Sequence, residues 1–220
     1  MIKIKTQIIK INPELIELDK IAIIAQTLGK EGVIAYPTDT FYGLGANCFS
    51  RKAIQRIYQI KKRKQEKPLS VVISDMDMVE EIVASIPPLF FALATEFWPG
   101  PLTLILKAGH QFPEELLGPG RTLGIRLPAV SWLRELVRQI GFPVTATSAN
   151  ISGEKEIALA EEIIKIFSEK VELIVDGGKA QGILPSTIVD LTSREPKILR
   201  EGAVPHSKLT KYLGTQNLVT

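Results

Sequence analysis

Cysteine is nearly absent from this chain. Cys48 is the one thiol in 220 residues, which excludes an internal disulfide and a cysteine-based zinc site. Histidine is almost as scarce, with only His110 and His206. A histidine-rich metal centre is therefore excluded, and a Ser-His-Asp triad has few candidates for its base. No apolar run approaches the roughly 18 residues that span a bilayer; the longest lies around residues 89–94. The first twenty residues lack the apolar segment of a secretory signal. Repeats, low-complexity tracts and Gly/Ser linkers are missing too. The common nucleotide fingerprints are likewise absent. There is no G-x-G-x-x-G, and GGKAQGILPST (177–187) departs from the phosphate-loop pattern because Lys179 directly follows the glycine pair. These absences suit a reducing cytoplasm, no membrane, no protein-bound metal, and chemistry done by positioning and positive charge.

The remaining composition is that of an ordinary globular protein, with 45% hydrophobic and 23% charged residues. The length fits one large domain, alone or with a small appendage. A net charge of +3 permits contact with RNA or anionic metabolites without arguing for either.

Helical spacing predicts helices over 13–30, 51–61, 131–140 and 157–167. Asp75 caps a short one to about residue 85, and Pro87–Pro88 open another through Phe97. Ser131 is expected to cap the helix that follows it. Strands are expected at 32–37, 69–74, 102–107, 122–128, 186–191 and 196–200, with 142–150 a strand entering a polar loop, 171–178 a strand and turn, and 38–47 a turn running into a further extended piece. The strands at 186–191 and 196–200 are joined too closely to be parallel. The tail from Ser207 is expected to be a short helix. Alternating strands and helices with some antiparallel pairs predict an α/β fold on a mixed, twisted sheet.

Five segments carry groups that could do chemistry. KKRKQEK (61–67) is rich in cations and has two readings: a solvated basic loop, or an anion site. In the second reading Lys61 and Arg63 point to one side of an extended loop, Arg63 offers a planar fork, and Lys67 adds a point charge. YPTDTFYGLGAN (36–47) offers the Thr38, Thr40 and Tyr42 hydroxyls beside glycines, or is a tight turn capped by Asp39. TSAN (147–150) sits just beyond a strand, where open α/β sheets bind ligands, or forms a cap or Asx turn. Ser148 lacks a G-x-S-x-G elbow and is a poor nucleophile candidate. Arg126 lies among apolar strand residues and needs an anion, from the protein or from a substrate; Arg200 raises the same question. The 177–187 turn presents Ser186 and Thr187.

Taken in order, YPTDTFYGLGAN, IKKRKQEKPL, FWPGPLTLIL, GIRLP, TSANISG, PSTIVDL and ILREG resemble the YrdC-like family of threonylcarbamoyl-AMP synthases. The resemblance implies the short form: one catalytic domain over residues 1–205, a tail over 206–220, and a strongly twisted mixed sheet around a positively charged cavity. It implies that L-threonine, bicarbonate and ATP, the last with Mg²⁺, become threonylcarbamoyl-AMP. A separate threonylcarbamoyl transferase would then modify tRNA, and some affinity for tRNA or double-stranded RNA is admitted.

The implied roles follow the motif positions. Lys61 and Arg63 match the K-x-R pair facing the phosphates and carbamate. Lys67, Thr122, Ser148, Asn150, Glu156 and Arg200 fall on the nucleotide side. Thr40, Arg126, Ala146 through its backbone, and Ser186 fall on the threonine side. Two departures stand out. Val72 sits where some members have histidine, and Lys64 where proline often follows K-x-R.

Overall fold

A computed structural model describes residues 4–213. In chain order its elements are β1 (Gln7–Lys10), α1 (Leu18–Gly29), β2 (Ile34–Pro37), β3 (Tyr42–Gly45), α2 (Arg51–Lys61) and β4 (Ser70–Val72). Next come α3 (Asp77–Ile82), α4 (Pro88–Phe97), β5 (Leu102–Lys107), a 3-10 turn (Glu114–Leu116), β6 (Thr122–Arg126), α5 (Ser131–Ile140) and β7 (Val144–Ser148). The rest are α6 (Ala160–Phe167), β8 (Leu173–Asp176), β9 (Thr187–Asp190), β10 (Lys197–Arg200) and α7 (His206–Leu213). All ten described strands join one mixed sheet, in the order β1-β8-β2-β3-β7-β4-β6-β5-β9-β10. The α/β class is as the sequence implies, and β9 pairs antiparallel with β10.

Departures from the sequence reading have local causes. The first helix starts at Leu18, not residue 13. Before it, Asn12 Oδ1 accepts from Glu14 N–H at 3.1 Å and the Asn12 carbonyl accepts from Leu15 N–H at 3.0 Å, so an Asx turn uses the groups a helix would need. Leu15 and Ile16 consequently stay exposed. Ser131 is the first residue of α5 rather than its cap, a place Val130 takes without a side-chain bond. The 157–167 helix starts only at Ala160, because Ile157 and Ala158 lend their carbonyls to Tyr42 and Ala180 N–H groups. β1 escaped the sequence reading altogether: it is an edge strand that buries Ile9 alone.

The sheet's apolar positions and the helices' inner stripes form one continuous core, in which Trp132, Tyr36, Phe90 and Phe167 are among the largest fully buried side chains. Residues 206–213 are part of this packing. Leu209 and Leu213 are buried, Tyr212 meets the Phe97 ring edge-on at 6.0 Å, and Lys211 pairs with Glu96 at 3.2 Å. The remainder of the expected tail, 214–220, lies outside the described residues. Because Leu209 has no solvent exposure, Leu209→Ala should lower unfolding stability by about 2–5 kcal/mol. Urea denaturation measures this, and an unchanged midpoint would show that α7 adds nothing to the core.

Candidate active site

The strands alternate sides, so residues two apart share a face. On one face this rule brings together Thr103 and Ile105 of β5, Thr122, Gly124 and Arg126 of β6, Ala146 and Ser148 of β7, and Ile188 of β9 with Ser186 just before it. They line a cavity of ≈ 640 Å³ that the 38–43 and 63–70 segments, Glu156, Leu199 and Arg200 complete. Small residues keep it open. A Cβ on Gly124 would come within 2.6 Å of Ser70 Oγ and 3.3 Å of Thr103 Cγ2.

One wall is built on Arg126, at the end of β6 and buried. Its Nε donates to the Gly100 carbonyl at 3.0 Å, and its Nη1 to Thr40 Oγ1 at 3.1 Å. Its Nη2 lies 2.7 Å from Asp39 Oδ1. The anion that Arg126 requires is thus supplied by the protein itself, across the sheet from the loop after β2. Thr38 organises that loop: its Oγ1 donates to the Phe41 carbonyl at 2.7 Å, accepts from Thr40 N–H at 3.0 Å, and sits 3.0 Å from Thr40 Oγ1. Gly182 N–H closes the 177–186 turn on the Thr40 carbonyl at 2.9 Å, and a Cβ there would come within 2.2 Å of the same oxygen.

Arg200 lines the same cavity. Its Nε and Nη2 donate to the Ser186 carbonyl at 3.0 and 2.7 Å, and Nη2 also meets Ser186 Oγ at 3.0 Å. Ser186 Oγ in turn lies 2.9 Å from Thr103 Oγ1. Burial lowers the Arg200 pKa; Arg126 and Arg63 add repulsion, which Glu156 opposes.

The basic segment is not extended. Lys61 ends α2, and Lys62 caps the helix in the left-handed region at φ 49°. Lys61 shares the buried face of α2 with Ile54, Ile57 and Tyr58, and the reversal after it lets Arg63 line the cavity. Arg63 Nε and Nη2 donate to the Lys67 and Pro68 carbonyls, both at 3.0 Å, and Tyr58 Oη donates to the Lys67 carbonyl at 2.9 Å. Burial pushes the Arg63 pKa down. Among the described residues, Arg63, Lys67 and Arg200 have no carboxylate within ion-pair distance. Lys61 is 1% exposed and does not line the cavity. Its ammonium donates to the Ser148 carbonyl, the Asn150 carbonyl at 2.8 Å and Asn150 Oδ1 at 3.0 Å.

Ten of the twelve residues singled out from the sequence therefore line one cavity: Thr40, Arg63, Lys67, Thr122, Arg126, Ala146, Ser148, Glu156, Ser186 and Arg200. Lys61 and Asn150 lie behind its wall. The Thr38 hydroxyl that the sequence offered does line the cavity, whereas sequence reasoning missed Asp39 as the partner of Arg126 and Thr103 as a hydroxyl of the site. Strand alternation alone would have placed Thr103 with Ile105, but only the parallel β5–β9 pairing brings it to Ser186. Val72 pairs with Arg126 across the β4–β6 ladder and is buried outside the cavity. No group of three or more His, Cys, Asp or Glu among the described residues could hold a metal ion. No described helix is long and apolar enough to cross a membrane.

Residues 26–202 match the Sua5/YciO/YrdC family model, which is described as telomere recombination. The chain belongs to this family. A Pyrococcus abyssi relative named threonylcarbamoyl-AMP synthase is 37% identical over 201 residues, which make up 91% of this chain and 59% of that protein. A Bacillus subtilis protein of the same name is 33% identical over 214 residues, 96% of this chain and 62% of the relative. The chain thus spans about three fifths of the length of these relatives. The crystal structure of P. abyssi Sua5 complexed with L-threonine superposes with a TM-score of 0.92 at 36% identity, covering 97% of this chain and 63% of that one.

Within this Sua5/YciO/YrdC fold, Lys61 links the site to pH. Burial, and then the Arg63 charge, lower its pKa from 10.5 to about 7, with Glu156 acting the other way. In the unfolded chain lysine keeps its ordinary value. Between about pH 7 and that value the unfolded state binds more protons, so stability should rise with pH across this window and gain nothing from Lys61 below it. Lys61→Met should flatten that part of the profile. Urea midpoints of the two proteins at pH 7 and 9 test this, and identical slopes would contradict it.

Proposed function

We propose that this chain is a threonylcarbamoyl-AMP synthase that joins L-threonine, bicarbonate and ATP. The observation that carries the proposal is a single cavity lined both by a buried, pre-oriented guanidinium, Arg126, and by cations that lack carboxylate partners. Family membership and the names of the relatives support it. Arg126 would take the threonine carboxylate while Asp39 and Gly100 hold its fork in place, and the Thr40 and Ser186 hydroxyls and the Ala146 backbone would complete the amino-acid side. Arg63, Lys67 and Arg200 would face the triphosphate, with Thr122, Ser148 and Glu156 along the nucleotide.

In this reading the threonine amine first adds to bicarbonate with loss of water, or to its CO₂ equivalent with loss of a proton, to give an N-carboxylate. A carboxylate oxygen of that adduct then attacks the α-phosphorus of ATP. The new P–O bond forms as the bond to pyrophosphate breaks. Both reactants are anions, so their repulsion is the main barrier to bringing them together. Preformed cations lower that barrier without a covalent nucleophile. Mg²⁺ would arrive on the phosphates rather than in a protein cage, as it commonly does. The adenylate would pass to a separate transferase acting on tRNA in the cytoplasm, so RNA need not bind this chain during the reaction.

Incubation with ATP, Mg²⁺, threonine and labelled bicarbonate should yield threonylcarbamoyl-AMP by mass, and omission of any substrate should abolish it. A product of another mass, or ATP consumption without threonine, would refute the assignment. Arg63→Ala should slow product formation about a hundredfold, the usual consequence of losing one preorganised charge contact; a wild-type rate would remove Arg63 from the phosphate site.

A further inference from the structure

The Lys61 ammonium offers three donors and meets three oxygens, all on the 148–150 segment. None is a carboxylate. Asn150 Oδ1 also accepts from Ser148 Oγ at 2.7 Å, while Asn150 Nδ2 donates to the Glu154 carbonyl at 2.6 Å. The Lys61 carbonyl in turn accepts from Ser152 N–H at 2.9 Å. The end of α2 is therefore tied through both side chain and backbone to the turn that follows β7. Ser148 lines the cavity on the front of this assembly, whereas Lys61 and Asn150 form its back. A buried ammonium is expensive without a counter-ion. Charge-assisted bonds to three neutral oxygens hold both the charge and the turn in a single arrangement.

We infer that Lys61 is a positioning residue: it fixes the Ser148–Asn150 turn against which the nucleotide lies and does not itself touch phosphate. The inference rests on the proposed synthase reading for its kinetic consequence, but not for its structural one. Arg63, two residues on, is the member of the basic segment that reaches the cavity, so the two cations divide the work. Lys61 shapes the wall and Arg63 meets the ligand.

The structural test uses ligand-free protein. In Lys61→Met, amide hydrogen exchange across 148–152 should speed up at least roughly tenfold, the worth of one hydrogen bond to a charged group, while β5 amides remain as in wild type. Unchanged exchange in the turn would overturn the inference whatever the enzyme makes. The kinetic test measures synthase activity. Lys61→Met should raise the ATP KM at least roughly tenfold, leave the threonine KM unchanged and lower kcat far less. Asn150→Ala should add little further loss when combined with Lys61→Met, because both act through one turn. A drop in kcat at unchanged ATP KM, or additive losses in the double variant, would instead put Lys61 in contact with the reacting groups. Should Lys61→Met fail to fold, the exchange and kinetic comparison passes to Asn150→Ala alone, which should loosen the same amides and raise the ATP KM in the same direction. A wild-type enzyme that makes no threonylcarbamoyl-AMP refutes the synthase reading while leaving the exchange result to decide the positioning role.

Discussion

Positive charge held among neutral oxygens is the constraint around which this cavity is organised. Lys61 donates to two carbonyls and an amide, Arg63 to two carbonyls, and Arg200 to the Ser186 carbonyl and hydroxyl. Such partners orient a cation without cancelling it. Full or partial burial lowers the pKa of all three, although Arg200 as a whole residue stays exposed to solvent. Arg126 is the contrasting case. It is the most deeply buried arginine of the site, and it has a carboxylate, Asp39, at 2.7 Å. Removing one member of such a pair typically costs about 3–5 kcal/mol, because the survivor is left buried and unpaired. The site therefore combines one guanidinium fixed by a protein carboxylate with three cations, Arg63, Lys67 and Arg200, that have no carboxylate within ion-pair distance among the described residues, although Glu156 lines the same cavity.

The sheet makes this arrangement possible. Its middle order, β3-β7-β4-β6-β5-β9, brings the ends of distant segments to one face. Antiparallel β3–β7 pairing sets Gly43 opposite Ser148, and parallel β4–β6 pairing sets Ser70 opposite Gly124. Small residues at these positions leave the face concave, and the helices behind it supply the apolar mass. Only at the rim does the chain leave regular structure, in the turns after β2, α2, β7 and β8, where most of the site's hydrogen bonds to neutral oxygens are made.

Much of this was legible in the sequence because local signals agreed with the fold. The 51–61 helix, the Pro88 helix start and the 102–107 strand have the boundaries their spacing implies, and the motif order collected ten site residues that do share a cavity. What escaped depends on contacts between segments far apart in the chain. Arg126 demanded an anion, but nothing local named Asp39. Thr103 reads as an ordinary strand threonine until β9 is paired beside it. Lys61 looked like one more cation in a basic loop, although its spacing from Ile54, Ile57 and Tyr58 puts it on the buried face of α2; what stayed hidden was the turn after it, where Lys62 adopts a left-handed conformation. The helix start at Leu18 was hidden for the opposite reason, since a local Asx turn overrode an apolar pattern that continued past it.

Ligand-linked stability tests most directly the claim that the folded cavity carries unneutralised charge meant for a polyanion. A ligand that binds only the folded state raises stability in proportion to the logarithm of its concentration once above its Kd. The unfolding midpoint of the protein in urea, followed across increasing Mg²⁺–ATP at constant ionic strength, should climb in this way, and the climb should shrink when Arg200 is replaced by alanine. A midpoint indifferent to ATP, or an equal climb in the Arg200→Ala protein, would contradict the account.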